Sequence, residues 1–404
     1  MNQPSSSIAS SGTAASDPDA PQGWPLLRLG FRPFYLGTAL LAFVTIPVWV
    51  AAFLGQLPLA LSFPPLLWHG HEMLFGFAAG VIAGFLLTAV RAWTGLPTPR
   101  GPLLGVLALL WLLARLAAVL APYAIFAVVD MLLLPAVAVI LLRVLRQAGN
   151  KRNIPLISIM LGMALVNAVF HLAVLDLVPV PAMSALHAQL ALVLMVICVM
   201  TGRVVPLFTR NVTPGLPPNM PPRRFELNLL SLTAVAFALW VVEAPALLVA
   251  ALSLVAAVLH FIRLWTWRPM VTLTRPILWI LHAAYLWIPI GFLLLAASQM
   301  GWIMPSLAVH AFAVGTIGGL VIGMITRTAR GHTGRPLKAS TAEAIAYLLV
   351  MLAAVVRVLV PVIQPDWYAR SLDVAGGLWA LAFGIYLFMY GPWLTRTRLD
   401  GKDG

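Results

Sequence analysis

The chain has 404 residues, of which 61% are hydrophobic and only 9% charged, with a mean hydropathy of +0.97 and a formal net charge of +13. A water-soluble fold of this length cannot bury so much apolar side chain, so the composition excludes an ordinary soluble globular protein. The basic residues are spread along the chain instead of forming one stripe, which argues against nucleic acid as a partner. The single cysteine, Cys198, excludes a disulfide framework and the CxxCH motif of covalently attached haem.

Uncharged runs long enough to cross a bilayer recur along the chain and predict an all-α, polytopic membrane protein of about twelve transmembrane helices. Residues 1–23, rich in Ser, Ala, Pro and Asp, are predicted to form a disordered tail that is not a signal peptide. Residues 24–395 are predicted to form the transmembrane domain, and residues 396–404 a second tail. The predicted spans are 34–55, 68–90, 102–121, 123–146, 154–176, 181–204, 227–245, 246–266, 276–299, 305–326, 341–362 and 374–394.

The basic residues sort to one side of these spans. Of the 25 Lys and Arg, 22 lie before the first span, in the last tail, or at the inner ends of even-numbered spans and in the links that follow them. Arg115 and Arg357 fall within spans, and Arg370 alone lies in a link on the opposite side. Because cytoplasmic loops carry the excess of Lys and Arg, both termini are predicted to be cytoplasmic.

The chain also resembles itself at a period of about 120 residues. An Arg and a Pro open the first, fifth and ninth spans, and the span after each carries a histidine near its outer end and an arginine at its inner end. The histidines in question are His71, His187 and His310. This pattern predicts three units of four helices, at residues 32–151, 152–274 and 275–395.

Two histidines and a glutamate stand at the start of the second span, in residues 68–72, WHGHE. Ionisable groups are expensive to keep in a membrane segment and are therefore candidates for function. Because neutral imidazole binds haem iron, copper and zinc, we expect a metal or haem site, with a helix-cap cluster wetted by the interface as the alternative. His69 and His71 project about 200° apart on a regular helix. Either His69 precedes the helix and turns inward, or the two serve different partners.

More ionisable groups fall in the predicted outer half of the membrane. In the fifth span Asn167 lies one turn before His171, on the same face, where it could orient the imidazole. For each histidine, a core side chain bonded to a neighbouring carbonyl is the alternative to a ligand. The candidate haem ligands are His71, His187 and His310, and the candidate metal ligands are His69, His71, His171, His187 and His310.

The buried charges have candidate roles beside these histidines. Arg115 and Arg357 would suit haem propionates, which need charged donors, and their alternative is pairing with Asp130 or Asp176. Glu72, Asp130 and Asp176 are candidates to carry protons.

The remaining histidines and the most polar link lie nearer the cytoplasmic side. His260 and His282 are expected to be structural. Residues 327–338 form a link that is rich in Arg and Gly, and they could bind an anion or serve only as a basic loop that holds the topology.

Four motifs carry a resemblance to a known family: residues 31–35, FRPFY; 68–77, WHGHEMLFGF; 202–211, GRVVPLFTRN; and 331–337, GHTGRPL. From about residue 24 to 395 the chain resembles the NnrS family. The resemblance implies a bacterial inner-membrane protein that contains haem b and copper and is associated with denitrification and with resistance to nitric oxide and nitrosative stress. It also makes His332 and Arg335 candidate site residues, because they belong to the last motif.

The function expected from these features is haem and copper binding in nitric oxide metabolism or in protection against nitrosative stress, within the lipid bilayer. An activity like that of a haem-dependent nitric oxide reductase would need a quinol or a soluble redox protein as electron donor. The alternatives are a transporter for a small anion or copper, which repeats and intramembrane charges would also suit, and an assembly factor for respiratory metalloenzymes.

Overall fold

The computed structural model describes residues 23–213, 215 and 219–402. The chain is 81% helical, and the described residues contain no β-strand. Within the described part of the chain, twelve helices are long and apolar enough to cross a membrane, which confirms the predicted fold class. They are α1 (Phe31–Phe53), α2 (Pro65–Thr94), α3 (Gly101–Leu120), α4 (Tyr123–Gln147), α5 (Lys151–Val174), α6 (Ala182–Val212), α7 (Arg223–Val241), α8 (Ala246–Thr266), α9 (Pro276–Gln299), α10 (Pro305–His332), α11 (Thr341–Ile363) and α12 (Pro365–Thr395).

Several helices run beyond the predicted apolar runs. Helix α6 continues through Pro206 to Val212, and α10 continues to His332. Hydropathy ends a span at its first charged residues, whereas the backbone hydrogen bonds of a helix continue through polar side chains. The predicted link 327–338 is therefore partly helix, and the predicted first tail lies almost wholly outside the described residues.

The two ends of the membrane domain meet at one end of the bundle. Arg32, at the start of α1, donates from its guanidinium to the carbonyl oxygens of Leu394 (2.9 Å) and Arg396 (2.8 Å) at the end of α12. Helices α1 and α2 approach closely at small residues, where a Cβ on Gly84 would lie 2.6 Å from the Cβ of Phe34. Small residues at such crossings let membrane helices pack backbone against backbone.

Helices α2 and α10 lie at the centre of the bundle. They are the two most buried spans, with 83% and 72% of their most apolar windows inside the protein. Polar side chains on these helices therefore face other helices and not lipid.

The same two helices contain π-helical segments, Glu72–Ala78 in α2 and Ala311–Gly318 in α10. Each segment begins directly after a histidine, His71 or His310. Such segments are rare and are frequently found at functional sites. Since α6 is α-helical from Ala182 to Val212, the interruption is shared by two of the three proposed repeat units, and the threefold repeat stays a prediction.

Candidate functional site

The start of α2 presents its two histidines to two different sites. His69 faces a large cavity that His187 and His310 also line, which we call the histidine cavity. His71 instead faces a hydrogen-bonded group formed with Glu72, Arg115, Asp130, Asn167 and His171, which we call the imidazole–carboxylate cluster. The structure thus places the two imidazoles with different partners, as their spacing on a helix requires.

The histidine cavity has a volume of about 410 Å³, which is in the range of small-molecule and cofactor sites. Its wall is mostly apolar and aromatic. The residues that line it include Trp49, Met73, Phe77, Met183, Leu190 and Trp379. Only a few polar side chains interrupt this wall, so they are the groups that can orient a ligand.

Two imidazoles face each other across this cavity from α2 and α10. The ring centres of His69 and His310 are 6.3 Å apart, and their planes differ by 13°. Trp49 stacks on His69 at 4.7 Å and fixes the orientation of its ring. His310 donates from Nδ1 to the carbonyl oxygen of Ser306 (2.6 Å), which leaves Nε2 with its lone pair.

A third imidazole and an arginine complete the polar part of the wall. His187 stacks on Trp240 of α7 with ring centres 4.4 Å apart. Arg357 of α11 is 5% exposed, and its nearest partner is the Tyr368 hydroxyl at 3.5 Å from Nη2. Its Nη1 atom is buried without a partner, and no carboxylate among the described residues pairs with this guanidinium.

The imidazole–carboxylate cluster is, by contrast, densely bonded. Nε2 of His71 and Nε2 of His171 each lie 3.2 Å from Oδ2 of Asp130. One donor atom from each of these three residues lies within 4.8 Å of the other two. Two imidazoles and a carboxylate at this separation are a donor set for a transition-metal ion.

Oxygen atoms face both ring nitrogens of His71. Nδ1 lies 3.3 Å from Oε1 of Glu72, and Nε2 lies 3.2 Å from Oδ1 of Asn167. The amide nitrogen of Asn167 donates to Oδ2 of Asp130 (2.6 Å), which fixes the orientation of this amide.

One arginine neutralises part of the negative charge of the cluster. Arg115 of α3 donates from Nη1 to Oε1 of Glu72 (2.7 Å) and from Nη2 to Oδ1 of Asp130. Both carboxylates and the guanidinium are less than 10% exposed. Phe75, Phe126 and Phe170 pack around the rings of the two histidines and exclude water from them; contacts run from Phe75 and Phe170 to His71 at 4.8 Å and from Phe126 to His171 at 5.1 Å.

The family model described as NnrS protein matches residues 25–398. The chain belongs to the NnrS family. The resemblance carried by the four motifs is thereby confirmed. A search of curated proteins finds no match to this NnrS-family chain.

One of the NnrS-like motifs supplies residues to both sites. Residues 68–77 contribute His69 to the histidine cavity and His71 and Glu72 to the cluster. The motif 202–211 instead lies in the last turns of α6, and the motif 331–337 spans the end of α10 and the link after it.

Other candidates from the sequence lie apart from the two sites. Asp176 is exposed directly after α5. His332 ends α10 with its ring 5.4 Å from that of Phe31, and Arg335 lies 4.1 Å from the ring of Trp393. Partial burial, together with the positive charge of Arg330, lowers the pKa of Arg335.

The histidines expected to be structural are bonded within the bundle. Nε2 of His260 lies 2.9 Å from the Thr233 hydroxyl and its Nδ1 lies 2.7 Å from the Tyr285 hydroxyl. Nε2 of His282 lies 3.1 Å from the Thr209 hydroxyl.

Sequence reasoning missed three aromatic side chains that hold the histidines. Trp49 and Trp240 stack on His69 and His187, and the hydroxyl of Tyr123 lies 2.9 Å from Nδ1 of His171. Tyr123 opens α4 directly after the Pro122 turn, which was the available signal, because a tyrosine at a helix start can turn its hydroxyl toward the next helix.

Proposed function

We propose that this chain is a haem- and copper-binding protein of the bacterial inner membrane that acts in nitric oxide metabolism or in protection against nitrosative stress. The observation that carries the proposal is the histidine cavity, where two nearly parallel imidazoles face one another beside a buried arginine that no described carboxylate pairs with.

The spacing of His69 and His310 suits a metal between them. The ring centres are 6.3 Å apart and Nε2 of His310 is free, so the cavity leaves room for a haem iron that one of these imidazoles would hold through a bond of about 2 Å. His187, on the α6 side of the same cavity, is a further imidazole that can contact a bound ligand.

Arg357 suits the propionate end of haem. A buried guanidinium with an unpartnered Nη1 is costly unless an anion joins it, and a propionate carboxylate is such an anion. Arg115, the other arginine considered for this role, already donates to two carboxylates of the cluster. We therefore assign propionate binding to Arg357 alone.

The imidazole–carboxylate cluster suits copper. Imidazole is a good copper ligand, and a carboxylate that holds the other ring nitrogen of a ligand histidine fixes its tautomer and raises its basicity. Glu72 is placed to do this for Nδ1 of His71, so Nε2 of His71 carries the lone pair toward Asp130 and His171.

Haem, when bound, would supply a redox-active iron that takes nitric oxide as a ligand. The apolar wall of the cavity excludes water and admits a small uncharged molecule, while Glu72 and Asp130 are the buried groups that can hold protons near the start of α2. Any reduction of nitric oxide would need electrons, and we propose a membrane quinol or a soluble redox protein as their donor. The excess of Lys and Arg at one side supports cytoplasmic termini.

The test is an absorption spectrum of the detergent-purified protein, oxidised, reduced with dithionite and after addition of nitric oxide, with metal analysis of the same sample. We expect a stoichiometric b-type spectrum that nitric oxide perturbs, together with copper. A colourless protein after expression with ample haem would overturn the proposal and favour transport or assembly of other metalloenzymes.

A further inference from the structure

The position of His71 calls for a positive ion in the cluster. A neutral imidazole has one N–H and one lone pair. Oxygen acceptors face both ring nitrogens of His71, so in either tautomer one lone pair faces an acceptor; with the N–H at Nδ1, toward Glu72, the lone pair of Nε2 faces Oδ1 of Asn167 and Oδ2 of Asp130. Acceptor atoms that converge away from water repel one another unless a proton or a metal ion lies between them.

The Asn167 amide cannot relieve this repulsion by turning over. Its nitrogen donates to Oδ2 of Asp130 at 2.6 Å, and the reversed amide would place two oxygens against each other there. A metal ion that replaces a proton there would be bound by Nε2 of His71 and Oδ2 of Asp130, with Nε2 of His171 as the third donor of the set.

The number of charges in the cluster limits the charge of that cation. Glu72 and Asp130 are each negative and Arg115 is positive, so these bonded side chains sum to one negative charge when both imidazoles are neutral, as metal ligands must be. A monovalent ion makes the buried cluster neutral. A divalent ion leaves one uncompensated positive charge, which is costly in a site that water does not reach.

We propose that the imidazole–carboxylate cluster selects a monovalent metal ion, copper(I), over divalent ions, and that Arg115 sets this selection. The proposal rests on the copper site proposed above and deepens it. Imidazoles bind copper and zinc alike, so the donor atoms alone do not discriminate between these metals. Arg115 contacts no donor atom of the two histidines; it acts as a positioning residue that holds both carboxylates and cancels one of their charges.

A ladder of charge variants tests the selection. Glu72→Gln brings the cluster to neutrality, the unchanged chain carries one negative charge, and Arg115→Gln carries two. Affinities for copper(I) and zinc(II) are measured on the full-length protein in detergent, without oxygen, by competition with chromogenic chelators. Both ions have filled d shells and no geometric preference from d electrons, so the ratio of their affinities follows the charge of the site.

The ratio should move in opposite directions in the two variants. Two unit charges about 6 Å apart at an effective dielectric constant of about 20 change a binding equilibrium by about a hundredfold. Relative to copper(I), zinc(II) should therefore gain about a hundredfold in Arg115→Gln and lose a similar factor in Glu72→Gln. Loss of the Glu72 bond to His71 weakens both ions and cancels in the ratio.

Matched control variants distinguish an effect of the charge of the cluster from a loss of folded structure. Arg370→Gln removes an arginine at an exposed position of α12 and should leave the ratio unchanged. If Arg115→Gln does not fold, as judged by size exclusion, Arg115→Lys keeps the charge and should keep the ratio, and Glu72→Gln then carries the test. An identical ratio in the folded variants and the unchanged chain would overturn the proposal.

Failure here is distinguishable from failure of the proposed function. If the protein contains haem but the ratio of zinc(II) to copper(I) affinity is the same in all charge variants, only the charge selection is overturned. If the protein is colourless but this ratio changes with the charge of the cluster as expected, the haem proposal is overturned and the ion selection is retained.

Discussion

The histidine cavity and the imidazole–carboxylate cluster lie on either side of the same turn of α2, yet they satisfy their polar groups in opposite ways. In the cavity of about 410 Å³, Arg357 keeps an unpartnered nitrogen and the imidazoles of His69 and His310 stand 6.3 Å apart. In the cluster, Arg115 also has an unpartnered nitrogen, Nε, but its two terminal nitrogens donate to Glu72 and Asp130, and the neighbouring void is only about 10 Å³. The first arrangement leaves room for a large ligand, whereas the second accommodates a single ion.

The independence of the two sites can therefore be tested directly by substitutions at each of them. If they are independent, a change at one should alter its own occupant and leave the other in place. If they form one site, every histidine substitution should lower both contents together.

The largest effect is expected from His310→Ala. Loss even of a residue that only supports a ligand lowers metal affinity about 10- to 100-fold, so loss of a histidine that would itself hold the haem iron should remove haem almost completely. Pyridine-haemochrome content and copper content are measured on the same sample. Copper should remain, and a parallel loss of copper in folded protein would show that the two sites are one.

His171→Ala makes the reciprocal change in the cluster. One of three donors is lost while Asp130 keeps its bond to Arg115, so the fold should survive. We expect copper content to fall by more than about 100-fold and haem to stay within error of the unchanged chain. Tyr123→Phe, which removes only the hydroxyl beside Nδ1 of His171, is the matched milder variant, and retention of copper by His171→Ala would contradict the assignment.

Arg357→Leu should have a smaller effect on haem. Hydrogen bonds to charged groups contribute about 1.5–3 kcal/mol, so haem affinity should fall about 10- to 100-fold. Haem dimethyl ester, whose propionates carry no charge, should bind the variant and the unchanged chain equally well. If Arg357→Leu weakens binding of the dimethyl ester as much as it weakens binding of haem, then Arg357 does not bind propionate.

The number and order of the helices were predictable from the sequence because a membrane span needs only length and apolar composition. The direction of each side chain was not. His71, His187 and His310 occupy similar places in their predicted repeat units, but the structure turns His71 toward Asp130 and brings His69 into the cavity instead. The direction of a side chain depends on its angular position around the helix axis. The π-helical segments after His71 and His310 change the angular positions of the residues that follow, and hydropathy does not reveal this change.

The two intramembrane arginines show the same limit. Arg115 and Arg357 look alike in the sequence, as single charges within apolar runs. Only the packing of α3 against α2 and α4 gives Arg115 two carboxylates, while Arg357 has the Tyr368 hydroxyl. The four-residue spacing predicted that Asn167 would orient His171, whereas Asn167 bonds His71 on another helix, a contact that no spacing within one helix predicts.

The smallest effect on either content is expected from His260→Ala. This buried side chain bonds the hydroxyls of Thr233 and Tyr285 in a region that contributes no residue to the cluster, and it stacks on Phe292. Its removal leaves two hydroxyls with one partner fewer, so the free energy of unfolding should fall by about 1–3 kcal/mol while haem and copper per folded protein stay unchanged. Thermal stability and cofactor content are measured together. A loss of haem at unchanged stability would mean that the haem ligands extend beyond α2, α6 and α10. The region around His260 would then be a third binding site.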